Sequence, residues 1–305
     1  MAAHAASCIR RSHPEGTLVW AVEERCSAVV DAERLVTQRA VYPRERWKRG
    51  AWTPKVWGEQ LRFYSGLRRF RFDIGLDLQG HSKTAICLRL SGAKRRLAVR
   101  ATDGFARRLN PVLSNFEGST HTVERQLFAL RTMGRFQGGS SPIMPALTAE
   151  RIEVRKQIGS EPYVVIAVGA GQPWKAYPRD QWGDVAEGLR QSGQRVVFIG
   201  GPGESAPEVD SSIDLVDRLD LALTMAVLAE SDLVLAADTG AGHLAAAYGN
   251  RVVSIFGPTD PAVFRPYTER GIVLKEGEET RLVSPDLVLR AAHTLLNSDG
   301  ATISH

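Results

Sequence analysis

The chain has 305 residues, 43% hydrophobic content and a net charge of +5, enough for one large domain or two of about 150 residues. No run of about 18 uncharged apolar residues is present, which argues against a transmembrane helix, and the basic opening MAAHAASCIRRSHPEG leads into no apolar core of a secretory signal. Three scattered cysteines, Cys8, Cys26 and Cys87, fit neither a disulfide scaffold nor a metal knuckle, so cytoplasmic residence is the expectation.

Residues 17–22, TLVWAV, read as a strand, and residues 73–78, DIGLDL, as another that stops at Gln79-Gly80. A helix starts over 84–90, and 95–99 form a short strand. Val123, Leu127, Leu130 and Met133 are spaced as one face of a helix over 119–133. The stretch 138–145, GGSSPIMP, is a linker by composition. It separates a domain over 1–137 from one over 162–305, with 138–161 as the connection. Charge follows this division. Residues 1–150 carry 25 Lys and Arg against 13 Asp and Glu, and residues 151–305 carry 14 against 21. A basic half suits an anionic partner, although a solvated basic surface accounts for it as well.

The second half is more regular. Strands are expected over 163–168 (YVVIAV), 195–199 (RVVFI), Leu233–Ala237 and 252–256. Helices are expected over Arg179–Gln191 (closed by Gly193), 221–229, 242–248 and 285–296. Short apolar runs alternating with helical patterns indicate an α/β domain with a parallel sheet covered on both faces. Ligands bind such sheets beyond the carboxyl ends of the strands. Small or polar residues gather there: Gly169-Ala170-Gly171, 200–204, Asp238-Thr239-Gly240 and Gly257-Pro258-Thr259 each follow a strand.

The residue types on this rim suit a phosphate ligand. Thr239 is placed to cap the following helix through its side-chain oxygen. Gly240 and Gly242 permit a ligand to approach the backbone, and free N–H groups at a helix start favour an anion such as a diphosphate. His243 falls in the first helical turn, where it either donates to the same phosphate or is a packed histidine. Lys175, in GAGQPWKAYPRDQW, is a point charge within reach of phosphate. Trp174 and Trp182 read as helix packing, and Arg179 as a surface charge. Glu204 is unsuited to phosphate but suited to ribose hydroxyls. The glycines at 200–203 lack the spacing and lysine of a phosphate-loop ATPase.

The pieces VAVGAGQPWKAYPRDQW, VVFIGGPGE, DLVLAADTGAGHLAAAYG and VVSIFGPTDP, in this order, resemble the family 9 glycosyltransferases, the heptosyltransferases of lipopolysaccharide core assembly. The match covers about 163–267 well, with D-[ST]-G-x-x-H and the later FGPT as its strongest part. The first half matches more loosely, through HPEGTLVWAVEE and FDIGLDLQGHSKTAICLRLSGAKRR. The resemblance implies two Rossmann-like domains facing across a cleft, the GT-B fold. The second domain would hold a nucleotide-sugar donor, typically ADP-heptose, and the first an anionic glycolipid or saccharide acceptor. It implies Lys175 at the donor diphosphate and Glu204 at the ribose. Asp238 would stand near the donor sugar and phosphates, with Lys175 and Asp238 at the reacting centre. Thr239, Gly240 and His243 would form the diphosphate-binding helix start, and Lys83 would serve the acceptor. No metal and no cofactor are expected, since basic residues and the helix start supply positive charge. Peripheral contact with the inner membrane is expected. Nucleic acid is not, because the arginines are dispersed without interleaved aromatics.

Family members open on a strand ending in Gly-Asp, whose aspartate is the general base. The opening AAHAASCIRRSHPEG looks instead like the helix after that loop, so the expectation is a first domain truncated at its N-terminus. Glu23 and Glu24, at the end of the TLVWAV strand, are candidate substitutes for the base. The alternatives are a truncated, inactive paralogue that binds nucleotide or sugar without transfer, or another nucleotide-sugar enzyme such as an epimerase.

Overall fold

The computed structural model describes residues 1–50, 53–114, 116, 121–134, 136 and 141–298. The chain divides into two compact units between Ile143 and Met144, with Met1 grouped with the second. Residues 138–140 of the GGSSPIMP stretch and the first residues of the helix expected from 119 lie outside the described residues.

The first unit runs α1 (Ala2–Ser12), β1 (Val19–Glu23), β2 (Gln38–Tyr42), α2 (Arg44–Arg49), α3 (Pro54–Gly66), β3 (Ile74–Asp77), α4 (Ser82–Leu90), β4 (Arg95–Ala98), α5 (Gly104–Leu109) and α6 (Thr122–Met133). The opening stretch is a helix, as the resemblance implied, and it buries Ala3, Ala5, Ala6 and Cys8. β1 pairs in parallel with β2, and β3 with β4, giving two separate two-stranded sheets. The D-L-Q-G stretch is a built turn. Asp77, buried at the end of β3, accepts the Gln79 and Gly80 N–H groups at 2.9 Å and the Thr84 hydroxyl at 2.8 Å. Gly80 has φ +76°, and a Cβ there would stand 2.1 Å from the Arg100 carbonyl, so only glycine fits. The turn aims the first residues of α4, and Lys83 among them, out to solvent.

The second unit runs α7 (Thr148–Ile158), β5 (Val164–Ala167), α8 (Arg179–Gln191), β6 (Val196–Ile199), β7 (Ile213–Asp214), α9 (Leu221–Glu230), β8 (Leu233–Ala237), α10 (Gly240–Tyr248), β9 (Arg251–Phe256), α11 (Pro261–Phe264), β10 (Gly271–Lys275) and α12 (Pro285–Asn297). Its six strands are all parallel, in the order β10-β9-β8-β5-β6-β7. Every residue of β5, β6 and β8 is buried. That burial explains why these strands read as unbroken apolar runs rather than alternating ones. Trp182, fully buried on α8, packs edge-on against Tyr177, whose hydroxyl donates to the Val283 carbonyl at 2.8 Å. Within the stretch read as connection, Val154 and Ile158 are buried on one face of α7. Arg151 and Arg155 of α7 reach Glu230 at the end of α9, at 2.5 and 2.7 Å.

Candidate functional site

Strand order fixes where a ligand would sit. β5 enters first, β6 and β7 extend the sheet on one side, and the chain then returns to lay β8, β9 and β10 on the other. The order therefore reverses between β5 and β8, the place where open α/β sheets leave a crevice at their carboxyl edge.

Three adjacent strand ends meet at Asp238. Lys175, in a single 3-10 turn (Pro173–Lys175) beyond β5, places Nζ 2.6 Å from Asp238 Oδ2. Thr259, beyond β9, donates its hydroxyl to the same oxygen at 2.8 Å. Asp238 follows β8, between the two, with its side chain 8% exposed against 23% for Lys175. The carboxylate thus links loops from β5, β8 and β9, and it holds the lysine at the mouth of the crevice. Lys175 Nζ also lies 5.2 Å from the ring centre of Trp174. Trp174 is 53% exposed, which corrects the reading of this tryptophan as helix packing; Trp182 alone of the pair is core.

Helix α10 begins immediately after Asp238. Thr239 occupies its N-cap position with an extended backbone, φ −138° and ψ 170°, but its side chain makes no capping hydrogen bond. The expected side-chain cap is therefore corrected. The hydroxyl is one of the buried polar atoms without a hydrogen-bond partner among the described residues. An orphaned hydroxyl beside free helix N–H groups is a donor left for an anion. Gly240 is exposed, with open space where a Cβ would stand. Gly242 is buried instead, where a Cβ would stand at ordinary contact distance from Pro266, Ser254 and Val252, so it faces packed side chains rather than open space for a ligand. His243 is half-buried in the first turn of α10.

Glu204 lies on the other flank of β5. The turn that carries it has Gly203 at φ +81°. Its Oε2 accepts the Gly201 N–H at 2.6 Å. A Cβ on Gly169 would fall 1.8 Å from that oxygen, so the carboxylate rests directly against the backbone after β5. Arg179, read from sequence as a surface charge, donates to the Ala206 carbonyl through Nε at 2.9 Å and so pins the loop beyond Glu204. Lys275 at the end of β10 donates to the Gly257 carbonyl and fixes the loop that presents Thr259. Sequence reasoning missed both lysine and arginine roles; the one signal was a basic residue at an element end beside a glycine-rich loop.

Lys83, placed from sequence at the acceptor, belongs to the first unit, exposed on the first turn of α4. Glu23 ends β1 with its side chain 14% exposed. Arg25 Nε lies 2.6 Å from Glu23 Oε1, but its N–H does not point at that oxygen, so the contact is an ion pair without a hydrogen bond. Arg44 donates to Oε2 at 3.4 Å. Glu23 is thus engaged by two guanidiniums, and Glu24 is exposed at the start of a 3-10 turn.

The chain is similar to known proteins along most of its length. It is 30% identical over 271 residues to lipopolysaccharide heptosyltransferase 1 of Pseudomonas aeruginosa, covering 81% of this chain and 72% of that one. It is 23% identical over 274 residues to the Escherichia coli K12 protein of the same name, covering 85% and 84%. Among solved structures, E. coli heptosyltransferase WaaC with ADP superposes with a TM-score of 0.76 at 20% identity, covering 96% of both chains. A family 9 glycosyl transferase from Veillonella parvula superposes with 0.79 at 16% identity, covering 96% and 92%. The fold is therefore of the GT-B type expected from sequence. Residues 60–286 match the model of glycosyltransferase family 9 (heptosyltransferase), and the chain belongs to that family of glycosyltransferases.

Proposed function

We propose that the chain transfers a heptose from ADP-heptose to a lipopolysaccharide core or related cell-surface saccharide. The observation that carries this reading is the Lys175–Asp238–Thr259 junction at the sheet's reversal point, beside the N-terminus of α10. The relatives' names agree with it: they are lipopolysaccharide heptosyltransferases, and WaaC has been solved with ADP and with ADP-2-deoxy-2-fluoro heptose.

In this reading the diphosphate lies over the start of α10. It takes N–H donors from Gly240 onward, the free hydroxyl of Thr239 and a contact from His243. Lys175 swings from Asp238 to the phosphates, and Glu204 receives the ribose hydroxyls. In transfer, the acceptor oxygen bonds to the anomeric carbon as the bond from that carbon to the diphosphate oxygen breaks. The acceptor proton leaves to a base and ADP departs. Lys175 and the helix start offset the charge that develops on the leaving diphosphate, the role a metal ion fills elsewhere. Asp238 holds the lysine and borders the sugar. The acceptor is anionic and lies against the basic first unit, with Lys83 among its contacts, and the reaction takes place at the inner face of the cytoplasmic membrane. No helix among the described residues is long and apolar enough to cross that membrane.

The test is a coupled assay for released ADP, with ADP-heptose as donor and heptose-deficient lipopolysaccharide as acceptor. Acceptor-dependent ADP release, with heptose found on the product by mass spectrometry, is the expected result. ADP-heptose that binds without acceptor-dependent release would overturn transfer and leave a nucleotide-sugar binding protein.

A further inference from the structure

The loops that present Lys175 and Thr259 share a support away from their junction at Asp238. It is Thr280, which opens the single 3-10 turn Thr280–Leu282 between β10 and α12. Thr280 is 5% exposed, although residues 276–279 before it and 281–282 after it are exposed. Its hydroxyl donates to the Ala176 carbonyl at 2.6 Å, across 104 residues of sequence. Ala176 directly follows Lys175 and closes the 3-10 turn that carries it. A carbonyl at such an exit has no partner within the helix, and the threonine supplies one. The methyl of Thr280 faces the other loop. A Cβ on Gly257 would stand 3.2 Å from Thr280 Cγ2 and 3.1 Å from the Thr280 nitrogen. One branched side chain therefore meets both loops, the hydroxyl on the Lys175 side and the methyl on the Thr259 side. Neighbouring bonds hold it there. Tyr177 donates to the Val283 carbonyl at 2.8 Å and Gln181 to the Arg281 carbonyl at 3.1 Å.

A lysine that must leave a carboxylate for a phosphate has two anions to choose between. Where its ammonium arrives depends on how firmly its own backbone is held, and supporting hydrogen bonds set that. We propose that Thr280 is a positioning residue of the donor site: its hydroxyl fixes the backbone at Lys175, so that only the side chain travels from Asp238 to the diphosphate. Thr280 touches neither Asp238 nor the ligand in this arrangement and acts through Lys175. The inference rests on the reading of Lys175 as a phosphate ligand, and the experiment separates the two.

Titration calorimetry with ADP on the full 305-residue chain is the measurement. Thr280→Val keeps the branched shape and removes the hydroxyl; it is expected to lower ADP affinity roughly fivefold, the scale of one lost hydrogen bond. Thr280→Ser keeps the hydroxyl and removes the methyl; it is expected to stay within about twofold of wild type. In a Lys175→Ala background, Thr280→Val is expected to add no further loss, because both act on one contact. In a Glu204→Ala background it is expected to lower affinity by its full factor, because that residue serves the other end of the nucleotide. Thermal unfolding of each variant shows that it is folded, and Thr280→Ala takes the place of Thr280→Val if that one is not. Wild-type affinity in folded Thr280→Val would overturn the proposal, as would a Thr280→Ser as weak as Thr280→Val. A full further loss on top of Lys175→Ala would make Thr280 a general support of the loops and would overturn it as well. Lys175→Ala that binds ADP like wild type would remove the phosphate reading and this inference together, whereas a loss with Lys175→Ala and none with Thr280→Val would remove this inference alone.

Discussion

Lys175 Nζ stands 2.6 Å from Asp238 Oδ2, and the same oxygen accepts the Thr259 hydroxyl at 2.8 Å. The pair joins two strand ends that are 63 residues apart in sequence but adjacent in the sheet. It also sets a competition. A diphosphate that recruits Lys175 must draw it from a carboxylate that stays largely buried, so Thr259 becomes the partner that keeps Asp238 satisfied. Lys175→Ala is expected to weaken ADP binding by about 1–3 kcal/mol, the range for a charge-assisted hydrogen bond. Titration calorimetry at low and high salt measures it, and wild-type affinity is expected to fall with salt. Affinity unchanged by the substitution would remove Lys175 from the phosphate site.

Gly169 and Glu204 supply a second expectation. A Cβ at Gly169 would fall within 1.8–2.1 Å of the Glu204 carboxylate atoms. Those atoms end a flexible side chain, so Gly169→Ala displaces the carboxylate rather than the sheet. The substitution is therefore expected to cost little stability and to weaken nucleoside diphosphate binding about as much as Glu204→Ala does. Because both act on one contact, the double variant is expected to be no weaker than either single one. Fully additive losses in calorimetry would show that Glu204 and Gly169 act separately.

Much of this site was legible before the structure because its strands are fully buried. β5, β6, β8 and β9 read as apolar runs, and a polar residue directly after such a run has few places to go but the carboxyl edge. Two half-exposed strands were not legible, Gln38–Tyr42 and Gly271–Lys275, which each bury one residue and carry charge, whereas the similarly exposed Val19–Glu23 was read from its apolar run. Pairings across the sheet were equally hidden. Nothing in the local sequence near Thr259 names Asp238 as its acceptor, since strand order alone brings them together. Thr239 was misread for the opposite reason. Its local signal is that of a capping residue, yet the hydroxyl makes no hydrogen bond to the helix N–H groups it was expected to cap. Local preference gives way here, as sequence rules do at functional sites, which agrees with the proposed diphosphate contact.

Lys83 offers a test that separates the proposed acceptor contact from the donor site. It is exposed on the first turn of α4, in a unit other than the one holding Lys175 and Glu204. Its backbone is set by the Asp77 turn, so truncating the side chain leaves the turn intact. Lys83→Ala is expected to lower acceptor-dependent ADP release several-fold, with ADP affinity unchanged. Roughly equal losses in turnover and ADP affinity would point to damage beyond the acceptor contact, and unchanged turnover would return Lys83 to the solvated surface.

Glu230 provides a test that involves no ligand. Burial pushes its carboxyl upward, but hydrogen bonds from Arg155 and Arg151, together with their charge, outweigh that and hold it below its ordinary value of 4.5. A carboxyl whose folded value lies below its unfolded one stabilises the fold fully above the unfolded value, and that stability is lost as pH falls through the folded value. Glu230→Gln is therefore expected to destabilise the second unit near pH 7 by about 1–2 kcal/mol. That is less than for a fully buried pair, because Arg155 is 56% exposed and its charge is screened. The difference between wild type and variant is expected to shrink progressively below about pH 4.5, where the wild-type carboxyl takes up its proton and the charge on both arginines goes unanswered. Denaturant unfolding of both proteins across that range measures it. A gap of constant size from neutral to acid pH would mean that Glu230 contributes through packing between α7 and α9, and not through its charge.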